Sequence, residues 1–229
     1  MTYAEFQRQI KISRQQICRE VFVENRDSIR VKKENTVVKN LERIFSATLK
    51  ISNKKGFQAM SMRDLGRETK MSMGALYSYF SSKEDLLAML QHQRRTITRR
   101  ILEGSIEDES DPAAKLRAAI LTHLYLSEVM QPWFYFSYME AKNLSKREQE
   151  LAVASELYTE KLFADILKQG QSRGCFLPRD PQLTASIIKA MLQDWYLKRS
   201  KYRKRNLSVD QYAKFLLQFL EAFIIGPKD

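Results

Sequence analysis

The chain is poor in residues that crosslink or interrupt structure. Its 229 residues include 2 cysteines, 7 glycines, 5 prolines and 2 histidines. Cys18 and Cys175 stand in unrelated contexts, which excludes a disulfide framework. His92 and His123 lie far apart with no further ligand at metal spacing, so neither a metal site nor a cofactor is expected. So few glycines and prolines favour long helices with short connections, and no glycine loop is present to cradle phosphate. No apolar run reaches the roughly 18 residues needed to span a bilayer. The N-terminus, MTYAEFQRQI, lacks the apolar centre of a signal peptide. A cytoplasmic protein without a membrane partner is therefore expected. A Ser/His/Asp arrangement is also missing, which leaves a helical enzyme as the weakest reading.

What the chain has in excess is positive charge, and its position matters more than its total. Lys and Arg number 39 against 27 Asp and Glu, a net charge of +12. Residues 1–104 hold 21 basic and 11 acidic residues, net +10, whereas residues 105–229 hold 18 and 16, net +2. A basic N-terminal part on a nearly neutral C-terminal part fits a nucleic-acid-binding head on a regulatory body.

Periodicity reads as all-α with no internal repeat. Phe6, Ile10, Ile17 and Val21 share one helical stripe, predicting a helix from about Thr2 to Glu20 followed by irregular chain. Val21-Phe22-Val23 and Ile29-Arg30-Val31 also fit a small hairpin. This extension reads either as a packing arm or as a basic arm adding phosphate contacts. From Val38, the pattern Leu41, Ile44, Phe45, Thr48, Leu49 predicts an amphipathic helix closing at Gly56. Further helices are expected over Lys83–Glu103, Pro112–Met130, Pro132–Asn143, Ser145–Arg173, Pro181–Lys201 and Ser208–Ile225. Asp111-Pro112, Asp180-Pro181 and Ser208-Val209-Asp210-Gln211 mark clear starts. The expected domains are an extension over 1–35, a DNA-binding head over 36–104 and a C-terminal domain over 105–229.

The segment Ser61–Leu87, SMRDLGRETKMSMGALYSYFSSKEDLL, holds three short helical patterns, each opened by a serine. Ser61 and Ser82 each have a carboxylate three residues on, the pattern of a capping box. Ser72 can cap a helix through Met73-Gly74-Ala75-Leu76-Tyr77-Ser78-Tyr79-Phe80. Two short helices joined by a tight turn make a helix-turn-helix, whose second helix fits the major groove. Leu65, Leu76 and Phe80 fall on the core-facing side. Met73, Ala75, Ser78 and Tyr79 are left facing outward, and Gly74 allows close backbone approach.

This stretch resembles the DNA-binding domain of the TetR family of bacterial transcriptional regulators. The residues that carry the resemblance are Gly56-Phe57, Ser61 and Ser72-Met73-Gly74-Ala75-Leu76-Tyr77-Ser78-Tyr79-Phe80-Ser81-Ser82-Lys83-Glu84-Asp85-Leu86. Lys70 departs from the pattern, because the family usually has glycine there. The resemblance implies phosphate contacts for Ser61, Tyr77 and Lys83. It places Arg63, Ser72, Met73, Ala75, Ser78 and Tyr79 near base edges or sugars. Tyr77 also fits a ring packed between helices. Met73 and Ala75 can only touch thymine methyls, so hydrogen-bonded readout falls to Arg63, Ser78 and Tyr79. So thin a set implies two copies on an inverted-repeat operator in double-stranded DNA.

In the C-terminal part, Tyr212, Leu216, Phe219 and Phe223 make the last helix apolar over more than one stripe, as an interface helix is. With Met191 on the preceding helix they form the expected homodimer surface, an arrangement the family shares. Trp133, Tyr135, Tyr138 and Met139, together with Tyr125 and Trp195, either line an effector pocket or form plain core. His123 and the tyrosine hydroxyls would supply its polar contacts. An elongated or aromatic hydrophobic effector, acyl compounds included, fits such walls. The cluster Lys198–Arg205 reads as a solvated loop, an anionic-effector contact or a second nucleic-acid patch. The function expected from all this is a ligand-responsive, homodimeric DNA-binding regulator, most simply a repressor. An architectural DNA-binding protein without an effector is the alternative.

Overall fold

A computed structural model describes residues 1–10 and 13–225, and among these it forms twelve α-helices, one short 3-10 turn and no strand. The helices are α1 Tyr3–Gln9, α2 Arg14–Glu24, α3 Glu34–Lys55, α4 Met62–Thr69, α5 Met73–Leu76 and α6 Lys83–Ile106, then α7 Pro112–Val129, α8 Gln131–Met139, α9 Lys146–Ser172, α10 Pro181–Leu197, α11 Arg199–Lys204 and α12 Val209–Ile224.

Most helix starts follow from one side-chain oxygen placed to accept an otherwise orphaned amide. Thr2, Ser61 and Ser208 form full capping boxes with Glu5, Asp64 and Gln211. Ser13, Ser72, Asp111 and Asp180 cap α2, α5, α7 and α10, and the last two place proline in the first turn. Gly56 ends α3 at φ +84°, a conformation glycine adopts without strain.

The described helices group into two units. The first is built from Lys11–Thr96 and Pro132–Ala152, the second from Met1–Ile10, Ile97–Gln131 and Val153–Asp229. The first unit centres on α3, whose buried Val37, Leu41, Ile44 and Phe45 meet residues from α2, α4, α5 and the start of α6. In the second unit α7 is buried along nearly its whole length by α1, α10 and α12.

These boundaries differ from the expected three-part division. The extension does not stand apart: α1 belongs to the second unit, where Phe6 is buried, while α2 packs on α3 through Cys18, Val21 and Phe22. Two helices replace the single predicted one and no hairpin forms; the intervening Lys11 and Ile12 lie outside the described residues. Residues 132–152 join the first unit because Trp133 packs edge-on against Phe45 and Phe136 against Phe57. The expected Pro181–Lys201 helix is two, since Lys198 leaves helical geometry between α10 and α11. Both cysteines are free; burial pushes the Cys18 thiol up to about 12, so it stays protonated and inert.

Candidate nucleic-acid interface

The helix-turn-helix of the first unit is locked from both sides of its turn. The Met71 amide donates to the Gly66 carbonyl at 3.1 Å and the Lys70 amide to Arg67 at 3.4 Å. Lys70 sits at φ +54°, the left-handed conformation, which costs a residue other than glycine about 1 kcal/mol. Its side chain points to solvent, so the strain is confined to backbone. Leu65, Leu76 and Phe80 are buried in the core around α3, fixing which face of each short helix looks outward.

The second helix is shorter than predicted: α5 is one turn, and residues 77–79 continue as tighter turns. Side-chain competition explains the stop. The Ser78 hydroxyl donates to the Ala75 carbonyl at 2.6 Å. The amides of Ser78 and Tyr79 then bond back three residues, to Ala75 and Leu76, instead of four.

That tightening redirects the side chains. Met73 and Tyr77 project outward, 38% and 41% exposed, with Ser72 and Gly74 beside them and Ala75 half-buried. A Cβ built on Gly74 meets nothing within 4 Å, so no protein neighbour demands glycine there. Tyr79 is the correction. It was expected to face DNA, yet it is 1% exposed and its hydroxyl accepts from the Asn40 side chain at 2.7 Å. A ring buried beneath the surface cannot touch a base. Ser78 is half-buried, with its hydroxyl spent on Ala75 and its carbonyl accepting the Arg30 amide at 2.9 Å.

At the flanks, Ser61 holds the N-terminus of α4, accepting from the Asp64 amide at 3.1 Å while Asp64 accepts from the Ser61 amide at 2.9 Å. Hydrogen bonds from Lys55, then Ser61 and Arg67, hold the Asp64 carboxyl well below the ordinary carboxylate range. Asp64 thereby occupies Lys55 and Arg67, while Arg63 next to it is exposed. Lys83 donates to the Gln58 carbonyl at 3.0 Å and lies 4.7 Å from the Phe57 ring centroid; burial lowers its pKa. The outward surface is therefore a neutral reading turn bordered by cationic groups.

A family model described as "Bacterial regulatory proteins, tetR family" matches residues 44–90, and one described as "Tetracyclin repressor-like, C-terminal domain" matches residues 109–220. The chain belongs to the TetR family. This is a family of DNA-binding transcriptional regulators. Among its relatives is the HTH-type transcriptional regulator HbdR of Aromatoleum sp. (strain CIB), 22% identical over 181 residues, which cover 79% of each chain. A regulatory protein of the tetR family from Rhodococcus RHA1 shares the fold with a TM-score of 0.70 and 20% identity, covering 83% of this chain and 99% of that one. AibR in complex with isovaleryl coenzyme A and operator DNA superposes with a TM-score of 0.71 and 18% identity, over 82% of this chain and all of that one.

The second unit holds some of the residues expected to meet effector, and it spends them on packing. Trp195 is fully buried; its indole N–H donates to Glu128 at 2.9 Å, and the Tyr202 and Tyr212 rings lie 4.9 Å from it. Arg199 covers that ring at 4.5 Å and grips Glu128 with two bonds of 2.9 and 2.8 Å. Tyr125 donates to Asp210 at 2.7 Å under the rings of Tyr3 and Phe6, and burial raises its pKa. His123 is buried with its Nε2 3.2 Å from the Lys189 ammonium. Trp133, Tyr135, Tyr138 and Met139 belong to the first unit, with Tyr138 and Met139 exposed. The seven residues thus do not form one pocket wall within either unit.

A cavity of about 490 Å³ opens instead beside α7, lined by Phe6, Ile10, Ile101, Ala118, Leu121 and Thr122, with Arg117 among its polar neighbours. Sequence periodicity missed it because its first wall comes from the N-terminal extension.

Of the expected dimer residues, Phe219 and Phe223 face outward, Met191 and Tyr212 are half-buried, and Leu216 is core. The exposed apolar strip is Phe215 (69%), Phe219 and Phe223 on α12 with Leu183 (66%) and Ile187 on α10. In the basic cluster, Lys198 and Lys201 pair with Asp194, and Arg199 with Glu128, which makes half of it structural. Among the described residues, no helix is long and apolar enough to cross a membrane.

Proposed function

We propose that this protein is a cytoplasmic, homodimeric repressor that reads an inverted-repeat operator through Ser72–Tyr77 and leaves it when a small hydrophobic effector binds. The observation that carries the reading is the outward turn around Gly74: exposed, unobstructed and rigidly supported from beneath. Arg63, Ser72, Met73 and Tyr77 are its contact residues, with Ser61 and Lys83 at the phosphates. Two copies in successive major grooves supply what one short turn lacks.

The exposed strip of α10 and α12 supports pairing. Five large apolar side chains left exposed on these two helices are costly on a monomer and are the usual material of an interface core. The cavity beside α7 supports an effector, since its volume falls in the range of small-molecule sites. Its apolar walls suit an acyl chain, and AibR is itself seen with isovaleryl coenzyme A. A cavity of that size weighs against a purely architectural role. For an effector to release the operator, it must bind the DNA-free arrangement more tightly than the DNA-bound one.

The test is selection of a duplex from random sequence by the purified protein, then gel-shift titration with short- and long-chain acyl-coenzyme A thioesters. The expected result is an inverted repeat whose binding weakens with one of them. An asymmetric site, or affinity indifferent to every thioester, would overturn the proposal.

A further inference from the structure

The connection between α2 and α3 is bonded to the reading turn, and its charge is not explained by the fold. The Arg30 amide donates to the carbonyl of Ser78 at 2.9 Å, which fixes the Arg30 backbone at the end of the turn that carries Met73 and Tyr77. The connection is held in place rather than loose. Ile29 is completely buried in the core of the first unit and its amide bonds to the Asn25 carbonyl at 3.0 Å. The Lys32 ammonium turns inward and closes the loop on the carbonyls of Arg26 and Ile29, at 2.9 and 3.0 Å.

Arg26, Arg30 and Lys33 are left exposed, and no carboxylate is recorded within ion-pair distance of them among the described residues. Two acids flank them. Glu34 is taken by Arg19 at 2.8 Å, and Asp27 is exposed. Arg30, whose backbone is bonded to the end of the turn, and the exposed Arg26 and Lys33 of the same short connection are cations of the kind that hold phosphate.

We propose that this connection is a second DNA-contacting element, in which Arg30 and Lys33 hold the phosphate backbone beside the base pairs read by Met73–Tyr77. The inference rests on the DNA-binding reading above and adds a partner surface to it. The element lies N-terminal to the helix-turn-helix proper, so it lengthens the footprint of each subunit without adding base readout. Phosphate contacts carry no sequence information, and their signature is salt dependence: each one lost removes about 0.9 from the slope of log K against log salt.

The experiment uses the full chain and the duplex it selects, and compares it with the double variant Arg30→Ala, Lys33→Ala by fluorescence anisotropy from about 0.05 to 0.3 M salt. Both side chains are exposed and the Arg30 backbone bond survives the change, so thermal melting should match the parent. The expected result is a slope shallower by about 2 per bound subunit and affinity at least about tenfold weaker near 0.15 M salt, with the selected sequence unchanged. Hydroxyl-radical protection should retreat at the edge of each half-site, and Arg30→Lys, Lys33→Arg should restore both readouts. Tight binding by the parent with an unchanged slope and footprint in the variant overturns this inference alone. An altered sequence preference in the variant overturns it in favour of base readout by the same side chains. Failure of the parent to select any duplex overturns the DNA-binding reading, and this inference with it.

Discussion

Gly74 separates what the protein needs from what its partner needs. In an isolated helix, glycine costs roughly 0.5–1 kcal/mol relative to alanine, and a Cβ here meets open space. Gly74→Ala should therefore raise stability to denaturant by up to about 1 kcal/mol. On the proposed reading the same methyl stands where DNA approaches, so affinity for the selected duplex should fall on the order of tenfold, the size of one lost base contact. Stability and affinity moving together would remove the case for this turn as the reader. Tyr79 makes the opposite prediction. Tyr79→Phe deletes the bond from Asn40, which should cost about 1 kcal/mol of stability. It should leave sequence preference unchanged in a repeat selection, because the ring never reaches the surface.

At the scale of elements, starts were legible and one ending was not. Ser61, Ser72, Asp111, Asp180 and Ser208 each open a helix where a polar side chain precedes an apolar period. The stop after Leu76 was hidden, because it depends on the Ser78 hydroxyl turning back onto Ala75. Projecting 3.6 residues per turn past that point sends Tyr79 outward, when the tighter backbone sends it in. Lys70 was readable as a departure from the family's glycine, and it takes the left-handed conformation nonetheless. The capping box of α4 also carries a pH dependence. The Asp64 pKa is lowered in the folded state, so its contribution is fully present above its unfolded value near 4 and is lost as pH falls through the folded one. Melting temperature should drop on acidification below about pH 4. The gap between the parent and Asp64→Asn should be widest at neutral pH and close as pH falls; a constant gap would exclude Asp64 as the titrating group.

For the whole molecule, the outward apolar positions were more legible than the grouping of the aromatic residues. The spacing of Phe219 and Phe223 marks outward positions, as does that of Phe215 beside them and of Leu183 and Ile187 on the companion helix, although Leu216 turned out to be core. A helix apolar on two faces does not declare which face is inner. The residues expected to share one pocket are divided for a different reason. Tyr125, Trp133, Tyr135 and Trp195 look alike as aromatic residues, but two of them pack in one unit and two in the other, and no local pattern encodes that assignment. Sedimentation equilibrium tests the strip: Phe215→Glu with Phe219→Glu should convert a dimer to a folded monomer, since both rings are outside the core. An unchanged dimer mass would place the interface elsewhere.

The polypeptide crosses between the two units near residues 10, 96, 131 and 152. A cut after the long helix, the natural place to dissect a head from its body, would leave Phe45 and Phe57 without the rings of Trp133 and Phe136, and would strip Phe6 from the other half. Fragments ending there should be sticky and poorly soluble, so a deletion series drawn from the chain's linear order would misreport which part holds the operator.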